Sequence, residues 1–420
     1  MNMDLTNVPV YRNHQRANPM SYLPSTFDKA EQSMHDLPLF VHGQEIPNDP
    51  STFIDDQSWL QASQWPHSIG RTVTGVDLFS GCGGLTLGAY EASRRIGKRF
   101  QPLLAVDNDQ SALNVYGLNF PTSHTQLRDL ADDLDLNLAR PLNTEELSIR
   151  HQFGNVDLLL AGPPCQGHSD LNNHTRRNDP KNDLVRTVIR AIRIFQPNSL
   201  LIENVQGITR DKNKNISAVK KHLNSFGYSV DEGLVMATAV GVPQKRRRYF
   251  LLGSRTSQPS LRRALTRFRC DERTVAWAIE DIKNEHGTTA FNTPSTHSKD
   301  NQERIKTLFE KDCYDLPDTY RPDCHKNKRH SYKSVYGRMY WDRPAPTITT
   351  GFGSTGQGRF VHPLFPRTIT PHEAARLQTF PDFFSFGSTG RSKLQTLIGN
   401  AVPPLLALPL IYELLSLKEN

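Results

Sequence analysis

Cysteine, long apolar runs and a leader segment are all scarce in this chain, and each scarcity removes a class of protein. Cysteine fills only five of 420 positions: 82, 165, 270, 313 and 324. That is too few and too scattered for a disulfide framework, and the odd count leaves at least one thiol free. A cysteine with a chemical task is expected instead. The most apolar stretch, Leu405 to Leu415, is too short to span a bilayer and carries Pro409 and Glu413, so no membrane partner is expected. The first residues are polar and show no charged-then-apolar leader pattern, which gives a cytoplasmic location as the expectation. Internal repeats and long low-complexity tracts are also missing.

What is present is enough Leu, Ile, Val and Phe for a full core, at 36% hydrophobic residues. The length suits two or three domains. Fifty Lys and Arg against 43 Asp and Glu give a net charge of +7, and that charge is unevenly spread. Residues 1–70 hold eight acids (Asp4, Asp28, Glu31, Asp36, Glu45, Asp49, Asp55, Asp56) against three bases (Arg12, Arg16, Lys29). Between Lys245 and Arg273 the balance reverses to ten bases and two acids. A block of that kind is the electrostatic footprint of a polyanion partner, of which nucleic acid is the commonest.

Residues 1–70 are rich in Asn, Gln, Ser and Pro without sustained periodicity, and read as a loosely ordered polar extension with one short helix. From Thr72 onward, β-rich runs (Thr72 to Phe79, Pro102 to Asp107, Val156 to Ala161, Ser199 to Glu203, Tyr228 to Ala237, Tyr249 to Leu252) alternate with amphipathic segments (Leu85 to Arg95, Ser111 to Leu118, Leu184 to Phe195, Ile216 to Phe226). The alternation predicts an α/β fold, a mostly parallel sheet with helices on both faces. It fades after about residue 254 into a polar, Arg- and His-containing stretch that predicts a second, smaller and irregular domain over 255–370. The segment 371–420 carries two further helices, one opening at Pro371 and one running from Pro404 to Leu417.

In such sheets ligands bind beyond the carboxyl ends of the strands. The first strand runs into DLFSGCGGL, Asp77 to Leu85, whose glycines admit a ligand close to the backbone. Asp107 ends the second strand, where an acid meets a ribose diol. The spacing of Gly81, Gly83 and Thr86 fails the G-x-G-x-x-G fingerprint, which disfavours a nicotinamide dinucleotide. The third long strand runs into AGPPCQGHS, where two prolines hold Cys165 in one direction, as a nucleophile requires. The polar loop Gln166 to Asp183 that follows reads as a charged lid. Glu203 ends a fourth strand at the same edge, where partial burial makes a carboxyl an acid.

Taken in order, these segments resemble the DNA (cytosine-5) methyltransferases that use S-adenosyl-L-methionine. The resemblance covers Thr72 to the C-terminus: DLFSGCGG and AVDN are similar to the first two cofactor motifs, Asp129 in LRDL to the third, GPPCQGHS to the nucleophile motif and ENV to the glutamate motif. QKRRR, Gln244 to Arg248, fits Q-x-R-x-R, while RPAPTITT and GNAVPP match the last two motifs. The resemblance implies a Rossmann-like methyltransferase sheet over residues 71–254, target recognition within 255–370, and a C-terminal segment returning to the catalytic domain.

It also implies the chemistry. The thiolate of Cys165 adds to ring carbon 6 of a flipped-out cytosine while Glu203 stabilises or protonates ring nitrogen 3. Carbon 5 then accepts the methyl group, a base removes its proton and the cysteine leaves. Carried over by position, Phe79, Gly81, Gly83, Asp107, Asp129 and Asn400 contact the cofactor, Gln166 and Ser169 lie near the flipped nucleotide, Arg246 and Arg248 hold phosphate or cytosine, and Gln244 and Thr347 contact DNA. Two positions depart from the family: His168 stands where Phe is usual, and Asp107 where Glu is also common. Cys313, Cys324, His325 and His330 fit no familiar zinc spacing, so no metal is expected. The resemblance implies a monomer acting on double-stranded DNA near the nucleoid, paired with a restriction endonuclease for the same site. A tRNA-methylating relative and a catalytically silent DNA-binding relative are the alternatives.

Overall fold

A computed structural model describes residues 55–163 and 184–417, apart from short gaps at 131–133, 135–136, 139, 211–214, 286 and 327–333. Among the described residues the strands are β1 Thr72–Leu78, β2 Arg99–Asp107, β3 His124–Leu127, β4 Leu158–Ala161, β5 Ser199–Val205, β6 Ser229–Met236, β7 Gln244–Lys245, β8 Arg247–Ser254 and β9 Ala345–Pro346. Seven of them form the central sheet in the order β3-β2-β1-β4-β5-β8-β6, and β7 pairs with β9 separately. Strands β1 to β5 are parallel neighbours. Their crossovers carry the helices Gly84–Arg95, Gln110–Asn119, Thr144–Phe153 and Leu184–Phe195. Strand β8 runs antiparallel between β5 and β6, because the short segment 237–246 allows a hairpin return but no crossover. The Rossmann-like α/β expectation is met, with one reversed strand.

The order turns at β1: β2 and β3 lie on one side, β4 and β5 on the other. That reversal opens a crevice at the carboxyl ends of β1 and β4, where ligands of such sheets bind. The strands can be apolar throughout because both faces are covered. Leu158 and Leu160 of β4 join the core that includes Phe250, Leu406 and Leu410. Leu159 and Ala161 join the opposite core with Ile189, Ile192 and Leu223.

Three departures from the sequence expectation have physical causes. Strand β3 is polar and mostly exposed, an edge strand with no apolar run to betray it. The helix Thr144–Phe153 opens on a capping box between Asn143 and Glu146, and Glu146 is buried against Arg190. The fold also begins before residue 70: Trp59 and Leu60, in the helix Asp56–Leu60, are fully buried. Within 255–370 a small separate core gathers Ile305, Leu308, Leu316, Val335, Tyr336 and Val361, while Val275, Ile279, Ile348 and Phe352 belong to the main core. The C-terminal helix Pro404–Ser416 returns to the sheet against Gly84–Arg95, so closely that a Cβ at Gly88 would lie 2.9 Å from that of Ala407. The stretch Arg391–Ser416 is long and apolar enough to cross a membrane by composition, yet 78% of its most apolar 18-residue window is buried in the protein.

Candidate active site

Past Leu78 the backbone enters left-handed territory at Phe79, Gly81 and Gly83, with φ of 55°, 53° and 97°. The Gly81 N–H donates to Asp107 Oδ2 at 2.8 Å and the Asp109 N–H to Asp107 Oδ1 at 2.9 Å, which locks the glycine turn to the end of β2. Gly83 is required twice over, by its φ and by its neighbours: a Cβ there would sit 2.7 Å from the Phe120 ring. At Gly84 a Cβ would strike the carbonyl of Val402, so GNAVPP packs directly on the turn. Among the described residues, nothing lies within 4 Å of where a Cβ at Gly81 would sit. The turn therefore presents bare backbone to open space.

Beneath it, Asp77 is 1% exposed. Its Oδ2 accepts from the Thr86 hydroxyl at 2.7 Å, which lies 2.9 Å from the Tyr116 hydroxyl. Burial pushes the Asp77 carboxyl up to about 7. Burial also raises Asp107, against the backbone donors of Gly81, Asp109 and Asn108 that lower it. Cys82, inside the same turn, is buried with its thiol pushed up to about 12, so it is a neutral packing group. Arg128 N–H donates to the Asp107 carbonyl, which brings the exposed Asp129 beside the end of β2. Asn400 is exposed at the end of the helix Arg391–Asn400. Sequence reasoning missed the roles of Asp77, Thr86 and Tyr116; Thr86, a few residues past the glycines, was the available signal.

Glu203 is 8% exposed, and its Oε1 lies 3.0 Å from Arg248 Nε. The antiparallel register explains the pair: Arg248 faces Val205, two residues along β5 from Glu203. Burial raises the Glu203 carboxyl, while Arg248 and Arg246 pull it down. A Cβ at Gly162 would be 3.9 Å from Glu203 Oε2 and 3.9 Å from the Phe79 carbonyl oxygen. The chain thus leaves β4 between the acid and the glycine turn. Cys165, Gln166, His168 and Ser169 lie outside the described residues.

Gln244, Arg246 and Arg248 share one face of a period-2 run, and the first two turn inward. Arg246 is 2% exposed; it donates to the carbonyls of Ile348 at 2.9 Å, Ala401 at 3.1 Å and Gly399 at 3.4 Å. Gln244 is fully buried, donating to the Leu377 carbonyl at 2.9 Å and accepting from Ile348 N–H at 3.1 Å. Arg246 thereby ties RPAPTITT to GNAVPP with its terminal nitrogens, its Nε staying buried without a hydrogen-bond partner, while Gln244 ties RPAPTITT to Leu377 and, at 2.7 Å, to the Gln378 side chain. Thr347 donates to the Lys245 carbonyl at 2.6 Å and stays partly exposed. Arg246→Ala should accordingly lower folding stability by about 3 kcal/mol, read as the urea midpoint, since buried carbonyls left without donors cost roughly 1–3 kcal/mol each.

Residues 73–416 match the family described as C-5 cytosine-specific DNA methylase. The chain is 49% identical over 366 residues to the Type II methyltransferase M1.BsuMI of Bacillus subtilis (strain 168), covering 87% of this chain and 86% of that protein. It is 32% identical over 340 residues to the Type II methylase M.HgiDII of Herpetosiphon aurantiacus, covering 78% and 91%. A crystal structure described as a DNA modification methyltransferase encoded within an E. coli prophage superposes with a TM-score of 0.56 at 28% identity, over 82% of this chain and 99% of that one.

Proposed function

Because the chain belongs to the C-5 cytosine-specific DNA methylase family, and is on that ground a DNA (cytosine-5-)-methyltransferase, we propose that it methylates one short sequence in duplex DNA as the modification half of a Type II restriction-modification pair. The family implies S-adenosylmethionine as the methyl donor. The turn suits such a group, since bare backbone faces open space at Gly81 and carboxyls at Asp107 and Asp129 favour a cationic nucleoside. Phe79, Gly81, Gly83, Asp107, Asp129 and Asn400 would hold it; when bound it supplies an electrophilic methyl group.

The chain's own residues do the rest of the chemistry. Cys165, as the thiolate, adds to carbon 6 of a cytosine swung out of the helix, and the ring's electrons move toward nitrogen 3. Glu203 donates a proton there, and Arg248 keeps its carboxyl oriented. After methylation of carbon 5, a base takes the proton from that carbon and the thiolate departs. Gln166, Ser169 and Thr347 support the extruded nucleotide.

This reading is carried by one juxtaposition: a buried carboxyl, Glu203, beside Gly162, three residues before Cys165 and against the glycine turn. Incubation with labelled S-adenosylmethionine and either duplex DNA or tRNA tests it, with bisulfite sequencing of the DNA. Label on cytosine at a single recurring DNA sequence is the expected result. Label on tRNA alone would replace the substrate, and label on neither would remove the activity.

A further inference from the structure

Residues 55–66 are acidic and polar in sequence, yet they are built into the core that backs the glycine turn. Asp55 caps the helix Asp56–Leu60 by accepting from the N–H groups of Gln57 and Ser58. Asp56 then accepts from Arg95 and from Arg273, each at 2.6 Å. Trp65 follows, half-buried, with its ring 4.9 Å from Tyr90, 5.6 Å from Phe120 and 4.6 Å from Phe383. The Tyr90 hydroxyl donates to the Pro66 carbonyl at 2.7 Å, which fixes the backbone beside Trp65.

Phe120 is the contact that matters. It is 4% exposed, with Trp65 packed edge-to-face on it, and its ring lies so close to Gly83 that a Cβ there would be 2.7 Å away. It also packs 4.8 Å from Tyr116, whose hydroxyl reaches Thr86 and through it Asp77. Gly83 has no side chain of its own to hold its left-handed conformation, so the Phe120 ring pressing from outside limits where the turn can go. Trp65 in turn limits where that ring can go.

We infer that Trp65 is a positioning residue for the cofactor site, acting through Phe120 on the turn at Gly83. The inference rests on the reading of that turn as the S-adenosylmethionine site. Without the indole, Phe120 can rotate into the space it leaves, and the Gly81 N–H loses its register on Asp107. Glu203, on β5, keeps its place. The loss therefore falls on cofactor affinity and spares turnover.

The test uses the full chain carrying Trp65→Ala or Trp65→Phe. Calorimetric titration with S-adenosylhomocysteine gives Kd and the fraction of binding-competent protein, and steady-state kinetics give KM for the cofactor and kcat. Trp65→Ala should raise Kd and cofactor KM about tenfold, the scale of one lost aromatic contact at a binding turn. It should leave kcat per competent site within about twofold, and Trp65→Phe should recover most of the affinity. An unchanged Kd, or a fall in kcat with KM unchanged, overturns the inference. If Trp65→Ala does not fold, Phe120→Leu is read in the same way, and an unchanged Kd again overturns it. Wild-type protein that binds no S-adenosylhomocysteine would instead overturn the assignment of the turn.

Discussion

Cys165→Ser should reduce methyl transfer to duplex DNA by roughly ten-thousand-fold or more while leaving S-adenosylhomocysteine affinity within about twofold, because the nucleophile is lost and the cofactor turn is untouched. A serine hydroxyl is almost wholly protonated near neutrality and is a poor nucleophile toward a pyrimidine carbon, whereas a thiol near a cationic group supplies a useful anion fraction. Cys82 cannot stand in: it is 2% exposed and its thiol is held neutral to about pH 12 by burial. Single-turnover transfer of label, measured beside calorimetric binding, separates the two quantities. Retained transfer in the serine variant would reject a covalent route through this residue.

Glu203→Gln should cost on the order of a hundred- to ten-thousand-fold in kcat, the range for removing a positioned general acid. Glutamine keeps the shape and the contact with Arg248 but has no proton to give at nitrogen 3. The pH profile adds an independent sign. Burial raises the Glu203 carboxyl above its ordinary value, so its protonated, donating form persists to higher pH and is lost as pH rises through the raised pKa. Formation of the Cys165 thiolate works in the opposite direction, increasing as pH rises. Wild-type kcat/KM should therefore be bell-shaped, and Glu203→Gln should lose the descending alkaline limb and keep the ascending one. A variant that keeps both limbs would place the acid elsewhere.

The sheet and its active edge were legible because their signals are local. The run Leu158–Ala161 is apolar at every position since both faces are covered, and the glycines at 81 and 83 announce a backbone conformation other residues avoid. Glu203 was likewise readable as an acid toward the carboxyl end of its strand, which runs two residues further to Val205, and the structure sets it beside Gly162 and the turn. What stayed hidden depends on direction and distance. The letters of QKRRR do not say that Arg246 points inward to three carbonyls while Arg248 points to Glu203; that follows from where β9 and GNAVPP pass. Strand β3 is polar and exposed, and so carries no hydrophobic pattern. Residues 55–66 look like a solvated extension by composition, because two tryptophans among polar neighbours form no periodic stripe; only the packing of Trp59 and Trp65 reveals their task.

The most direct test of a sulfur–carbon bond between Cys165 and the target base uses a duplex carrying 5-fluorocytosine at the recognised position. Fluorine cannot depart from carbon 5 as a proton does, so the final elimination is blocked and an adduct formed at carbon 6 persists. With S-adenosylmethionine present, the expected result is a denaturant-resistant protein–DNA complex whose peptide map assigns the added mass to Cys165. Efficient methylation of the unsubstituted duplex, with no such complex on the fluorinated one or with the mass on another residue, would contradict the account.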